Sequence, residues 1–254
     1  MSFLLSALPA PRPGALQIWR RNFLVWRKLM LPSLFFNFGE PVIYLLGLGF
    51  GLGNFIGDMG GVPYLTFLAS GLVAASAMNV ASFEGMFSVY TRMVPQQTYE
   101  AIMATPVGVD DIVAGEMLWC GTKAVISSSA ILAVAFLLGA VHHWSALAAI
   151  PLFLLTGLCF AGPAIVMAAV SRSYDFFNYY VTTVMTPMFI FCGVFYPVRT
   201  LPEFAQGIVQ ILPLPMPWRW CGRWYPARTS LSQPCTSPCF APMPWWATSP
   251  PPGS

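Results

Sequence analysis

Five runs of twenty or more residues, almost empty of ionisable side chains, constrain this chain more than any motif does. They are Leu31–Leu52, Tyr64–Phe83, Ile112–Leu138, Ala146–Val170 and Phe177–Tyr196. Each can cross roughly 30 Å of hydrocarbon at about 1.5 Å per helical residue. An unpaired backbone group in lipid costs several kcal/mol, so these runs must be helical. The expected fold is an all-α polytopic membrane bundle. Only 8% of residues are charged and 57% are hydrophobic, whereas about a quarter of residues are charged in a soluble domain. The net charge of +3 is small and scattered, which argues against a nucleic-acid partner.

Orientation follows from the cations. Arg12, Arg20, Arg21, Arg27 and Lys28 precede the first span, Arg92 lies after the second and Arg172 after the fourth, while residues 53–61 and 139–145 contain neither Lys nor Arg. The positive-inside rule then places the N-terminus and the Arg92 and Arg172 loops in the cytoplasm, with Arg199 the one cation outside. Phe3–Leu8 is too short an apolar core for a signal peptide. Residues 15–28 alternate Leu16, Ile18, Trp19, Phe23, Leu24 and Trp26 with Arg and Lys. This pattern predicts a helix lying on the membrane surface, the alternative being topogenic charges alone. The expected organisation is a cytoplasmic tail (1–14), an interfacial helix (15–30), a membrane domain (31–214) with a cytoplasmic loop (85–111), and a tail (215–254).

That loop contains Tyr99-Glu-Ala-Ile-Met-Ala-Thr-Pro-Val-Gly-Val-Asp-Asp-Ile-Val-Ala-Gly-Glu-Met117. Thr98 is the expected N-cap of a short helix that Pro106 stops, and Asp110 and Asp111 sit where carboxylates favour the start of the next. Tyr99, Met103 and their neighbours would form an exposed knob. From the residues alone, a solvated chain reversal and a docking element are equally good readings.

The segment resembles the region between the second and third helices of ABC-2 type export permeases, through Glu100, Ala101, Ile102, Met103, Thr105, Pro106, Asp111, Ile112 and Gly115. Within that family the chain is most similar to the nodulation-type, NodJ-like subgroup. The resemblance there rests on Trp19-Arg-Arg-Asn-Phe23, Glu40-Pro-Val-Ile-Tyr-Leu45, Gly47-Leu-Gly-Phe-Gly-Leu-Gly53, Gly115-Glu-Met117 and Thr122-Lys-Ala124, and covers about residues 19–214. It implies a permease of the bacterial inner membrane that pairs with a second copy and with ABC ATP-binding subunits. Tyr99, Glu100, Ala101, Ile102, Met103, Thr105 and Pro106 would form the coupling helix, and the cargo would be an amphiphilic saccharide such as a lipo-oligosaccharide. No Gly-x-x-x-x-Gly-Lys-Ser/Thr loop occurs, so nucleotide binding by that device belongs to a partner. The glycine run at 47–53 ends a span instead of joining a strand to a helix, which fits close helix approach better than dinucleotide binding.

Charges inside spans are functional candidates because burying them in lipid is costly. Glu40, Glu116 and Lys123 qualify, with Glu84 at a span end. Glu116 and Lys123 lie two turns apart on one helix, both able to face the bundle interior, either as functional groups or as structural charges satisfied by neighbouring helices or snorkelling near the cytoplasmic boundary. Aromatic side chains of the fifth span, among them Tyr179, Tyr180, Phe189, Phe191 and Phe195, suit an amphiphile and lipid contact equally. His142 and His143 lack helical metal-site spacing, Cys120, Cys159 and Cys192 read as packing residues, and no cofactor or metal is expected.

After Leu214 the apolar period collapses into Pro, Trp, Arg, Ser and Cys. The resemblance implies a sixth helix at that place. Met216-Pro-Trp-Arg-Trp220 written as ATG CCG TGG CGC TGG and read one base earlier, with C as the preceding base, gives His-Ala-Val-Ala-Leu, so a slipped reading frame near Leu214 would account for the loss. A disordered extension is the alternative. Two other functional classes stand beside the exporter: an enzyme acting on lipid-linked saccharides through Asp110, Asp111 or Glu116, and a passive scaffold. A truncated, non-functional permease is a further outcome of a shifted frame.

Overall fold

The computed structural model describes residues 13–56, 58–59, 62–140, 149–191 and 194–195. Helix α1 spans Pro13–Lys28 and α2 Met30–Gly51. A turn of helix, Gly53–Ile56, and a two-residue antiparallel pairing of Asp58–Met59 with Val62–Pro63 lead into α3, Tyr64–Met93. The loop helix α4 is Thr98–Met103, followed by α5, Val109–Leu137, and α6, Ile150–Val170. Helix α7 runs through Asp175–Tyr180, a π-helical turn Val181–Met185 and Thr186–Phe191.

The all-helical expectation holds. Among the described residues, α3, α5 and α6 are long and apolar enough to cross a membrane. Helices α2 and α7 occupy the sites of the first and fifth expected spans. The second span runs further than expected. The helix does not stop at Phe83 but passes through a π-helical turn, Glu84–Ser88, and continues to Met93. Arg92 is therefore a helical residue instead of a loop cation, and its charge is tolerated there because two carboxylates meet it. His142, His143, Cys192, the end of the fifth span and the whole tail lie outside the described residues.

Helix α5 is the axis of the bundle, with α1, α3 and α6 packed around it. Small residues set the distances, as they do where backbones pack in lipid. A Cβ on Gly157 of α6 would stand 2.7 Å from the Ala124 Cβ and 2.9 Å from the Gly121 Cα. On the other side of α5, a Cβ on Gly115 would stand 2.6 Å from the Ile18 Cβ of α1. Gly49 of the glycine run is approached by Leu65 of α3, while Gly47 and Gly51 face open space. At the end of the bundle remote from α4, Leu45, Leu68, Leu72, Ile131 and Phe153 form an apolar core. Two of its hydroxyls pair internally: Ser76 and Ser128 lie 3.2 Å apart, and Ser128 Oγ donates to the Val73 carbonyl at 3.1 Å.

Candidate functional site: a buried charge cluster beneath the loop helix

Under α4 the interior changes character. Glu84 and Arg92 of α3 face Lys123 and Glu116 of α5, two helices that run antiparallel. Arg92 donates from Nη2 to Glu84 Oε1 at 3.1 Å and from Nη1 to Glu116 Oε2 at 2.5 Å. The Lys123 ammonium lies 3.6 Å from Glu84 Oε2, and the Trp119 indole N–H donates to Glu84 Oε1 at 2.8 Å. Glu116 is 1% exposed and Lys123 8%. Carboxylates and cations so deep survive only by mutual pairing. Their α5 spacing is seven residues and their α3 spacing eight, and the π-helical turn at Glu84–Ser88 absorbs the extra residue.

Helix α1 closes the cluster on one side. Trp26 meets Trp119 edge to face with centroids 6.1 Å apart, and Lys123 Nζ stands 5.8 Å from the Trp26 ring. Trp19 donates its indole N–H to Thr122 Oγ1 at 2.9 Å.

Helix α4 closes the other side. Tyr99 is buried and donates its hydroxyl to Glu116 Oε1 at 2.9 Å. Burial, then the Glu116 carboxylate, push the Tyr99 hydroxyl above its ordinary pKa, which keeps it a proton donor. Tyr99 is thus a correction to the expected knob: it anchors the loop helix from beneath. Glu100, Ala101, Met103, Thr105 and Pro106 are exposed, and Ile102 is half-buried against the core. The Thr98 cap is a second correction. Thr98 is the first helical residue, and the preceding Gln97 takes a left-handed conformation (φ 49°) with no side-chain cap. At the start of α5, Asp111 is buried and accepts from the Gly108 N–H at 3.2 Å. Its partner acid Asp110 is exposed.

Of the intramembrane candidates, Glu116 and Lys123 join this cluster without pairing to each other; each reaches across to α3. The side chain of Glu40 lies outside the described residues. Sequence reasoning passed over Arg92 as a pairing partner and left Glu84 at a span end. No group of residues fit to hold a metal occurs among the described residues.

Apolar helices long enough to span a membrane, with a short helix anchored in the turn between two of them and a self-paired charge cluster beneath it, define the architecture of a polytopic membrane protein. Sequence comparison makes the class specific: a family model described as ABC-2 type transporter matches residues 15–218, and the chain belongs to that family. It is 44% identical over 210 residues to nodulation protein J of Rhizobium meliloti (strain 1021), covering 83% of this chain and 80% of that protein. It is 42% identical over 209 residues to nodulation protein J of Bradyrhizobium diazoefficiens, covering 82% and 80%. It is 25% identical over 196 residues to the inner membrane transport permease YadH of Escherichia coli (strain K12), covering 76% and 74%. No solved structure is significantly similar to it.

Proposed function

We propose that this transport permease is the membrane subunit of an ATP-driven exporter in the bacterial inner membrane. It works as a pair with two ATP-binding subunits and moves an amphiphilic saccharide such as a lipo-oligosaccharide. The observation that carries the proposal is the two-sided α4 helix. One face is fixed to the bundle by Tyr99 and Glu116, while Glu100, Ala101 and Met103 face outward. A partner pressing on that outer face would push directly on a hydrogen bond to α5 and, through Arg92, on α3. Closure of ATP-binding subunits would then bias the helices between two arrangements, which is a population shift driven by differential contact. The distribution of Arg and Lys supports a cytoplasmic N-terminus and a cytoplasmic α4, and the cargo class rests on the resemblance to the nodulation-type permeases.

Gentle extraction of the chain from membranes should bring down an ATPase subunit, and Glu100→Arg with Met103→Asp should abolish the association while the permease still elutes as a single species. Failure of the unaltered chain to capture any ATPase would defeat the proposal. The enzyme reading, which rests on Asp110, Asp111 and Glu116, has less support, because Glu116 is committed to Arg92 and Tyr99 and Asp111 to the Gly108 N–H, which leaves the exposed Asp110 without an acid–base partner among them. The collapse of the apolar period into Pro, Trp, Arg, Ser and Cys supports a shifted reading frame after Leu214. Resequencing the gene at that point decides between the shift and a genuine extension.

A further inference from the structure

The two sides of helix α1 meet different surroundings. Ala15, Ile18 and Asn22 are buried, with Ile18 against Gly115 of α5. On the opposite side Leu16, Arg20, Leu24, Arg27 and Lys28, spaced by threes and fours, form one exposed stripe. None of Arg20, Arg21, Arg27 and Lys28 forms an ion pair among the described residues, and α1 contains no Asp or Glu. The cluster beneath α4 is the reverse case, since its carboxylates and cations answer one another. Arg27 and Lys28 stand in the last turn of α1, where the helix dipole favours cations. Arg20, in the middle of the helix, has no such reason.

We infer that this stripe binds anionic phospholipid headgroups of the leaflet it meets. Its leucines and cations are interleaved instead of segregated, and that decides the occupant. Water would leave Leu16 and Leu24, 62% and 48% exposed, in contact with solvent, and hydrocarbon would strand three charges. The boundary between headgroups and acyl chains takes both, because leucines reach into the chains while long basic side chains reach back to the phosphates. The stripe stands at that level: one residue after Lys28 the apolar helix α2 begins. An acidic protein surface would also match the cations, but it would have to enter the headgroup layer to reach Arg27 and Lys28. The inner side of the same helix gives the contact a use. Trp26 packs on Trp119 and faces Lys123, so lipid held at Arg27 steadies the helix that closes the charge cluster. That the leaflet is cytoplasmic rests on the same orientation as the exporter proposal; that the stripe binds anionic lipid does not.

The test uses the full chain in phosphatidylcholine nanodiscs and two spin-labelled probes, phosphatidylglycerol and phosphatidylcholine, whose protein-bound fractions are read by electron spin resonance. The unaltered chain should prefer phosphatidylglycerol. Arg20→Gln, Arg27→Gln and Lys28→Gln should each lower that preference by up to about fivefold, and together they should remove most of it. Arg20→Lys and Arg27→Lys should keep it, and so should Arg172→Gln, which removes an exposed cation away from the stripe. If the triple variant does not fold, hydrogen exchange of the unaltered chain decides: adding phosphatidylglycerol should protect α1 and leave α6 unchanged. Equal retention of the two probes by the unaltered chain, a preference that the triple variant keeps, or unchanged protection of α1 would overturn the inference. Inorganic phosphate should displace the probe no better than chloride of equal ionic strength; better displacement would mark a free-phosphate site and overturn it as well. Capture of the ATPase subunit is scored separately. Lipid preference without capture keeps the stripe and removes the exporter, whereas capture that the triple variant loses, with no lipid preference in the unaltered chain, assigns the stripe to that partner and overturns the inference.

Discussion

Helices α3 and α6 are both apolar spans, yet they occupy the bundle in opposite ways. In α3, 78% of the most apolar window is buried; in α6 only 39% is. Helix α6 is the more hydropathic of the two and shows Leu154, Leu155, Val166 and Val170 to its surroundings. Helix α3 is built from Ala, Ser and Gly, and Phe83 is its one exposed large apolar side chain among the described residues. The difference teaches that in lipid the most greasy helix is the outer one. The central position goes to the helix whose small side chains allow close approach and whose polar groups find partners inside.

The strongest way to break this contrast is to remove a partner from the α3 end. Glu116→Leu strands Arg92 with one carboxylate, and the expected loss is about 3–5 kcal/mol. It should be the largest drop in thermal stability of the detergent-solubilised chain, partly recovered by adding Arg92→Leu. Tyr99→Phe removes a hydrogen bond to a charged acceptor, at an expected cost of about 1.5–3 kcal/mol. Hydrogen exchange should show α4 loosened while α6 is unchanged. Because the folded-state pKa of Tyr99 is raised above the ordinary value of about 10, its contribution is fully present below that pH. Protection of α4 should be flat through neutral pH and decline only as pH rises past about 10. At the inner seam of α6, Gly157→Val meets Ala124 and Gly121 and should cost about 1–3 kcal/mol or more by forcing the α5–α6 pair apart. On its outer side, a Cβ on Gly162 meets nothing within 4 Å, so Gly162→Ala should be neutral or gain about 0.5–1 kcal/mol. A clear loss there, measured by the same melting assay, would mean that another chain covers the outer face of α6.

The helices were legible because a long uncharged run in lipid has one solution, and Glu116 and Lys123 were legible as charges inside such a run. The pairing was not. On a continuous α-helix, residues eight apart are turned from one another by about 80°, so Glu84 and Arg92 do not read as one face. The π-helical turn between them inserts a residue and brings them onto the side that meets α5. Nothing in a hydrophobic period announces such a turn. Tyr99 was hidden for another reason. A six-residue helix is too short to show a period, although Tyr99 and Ile102, three apart, do share the inward side while Glu100, Ala101 and Met103 face out. The Asn22 amide was masked by the basic, aromatic stretch around it, which directs attention to the membrane surface instead of to the interior that Asn22 enters.

The two carboxylates and two cations beneath α4 carry a consequence for the energetics of a membrane under voltage. A single charge displaced through the full field does work of about 2.3 kcal/mol per 100 mV. Glu84, Arg92, Glu116 and Lys123 sum to zero, so when they shift together the electrical work cancels. Whatever rearrangement α3 and α5 undergo as a unit, this part of the molecule can make it with equal ease in a polarised or a depolarised cell.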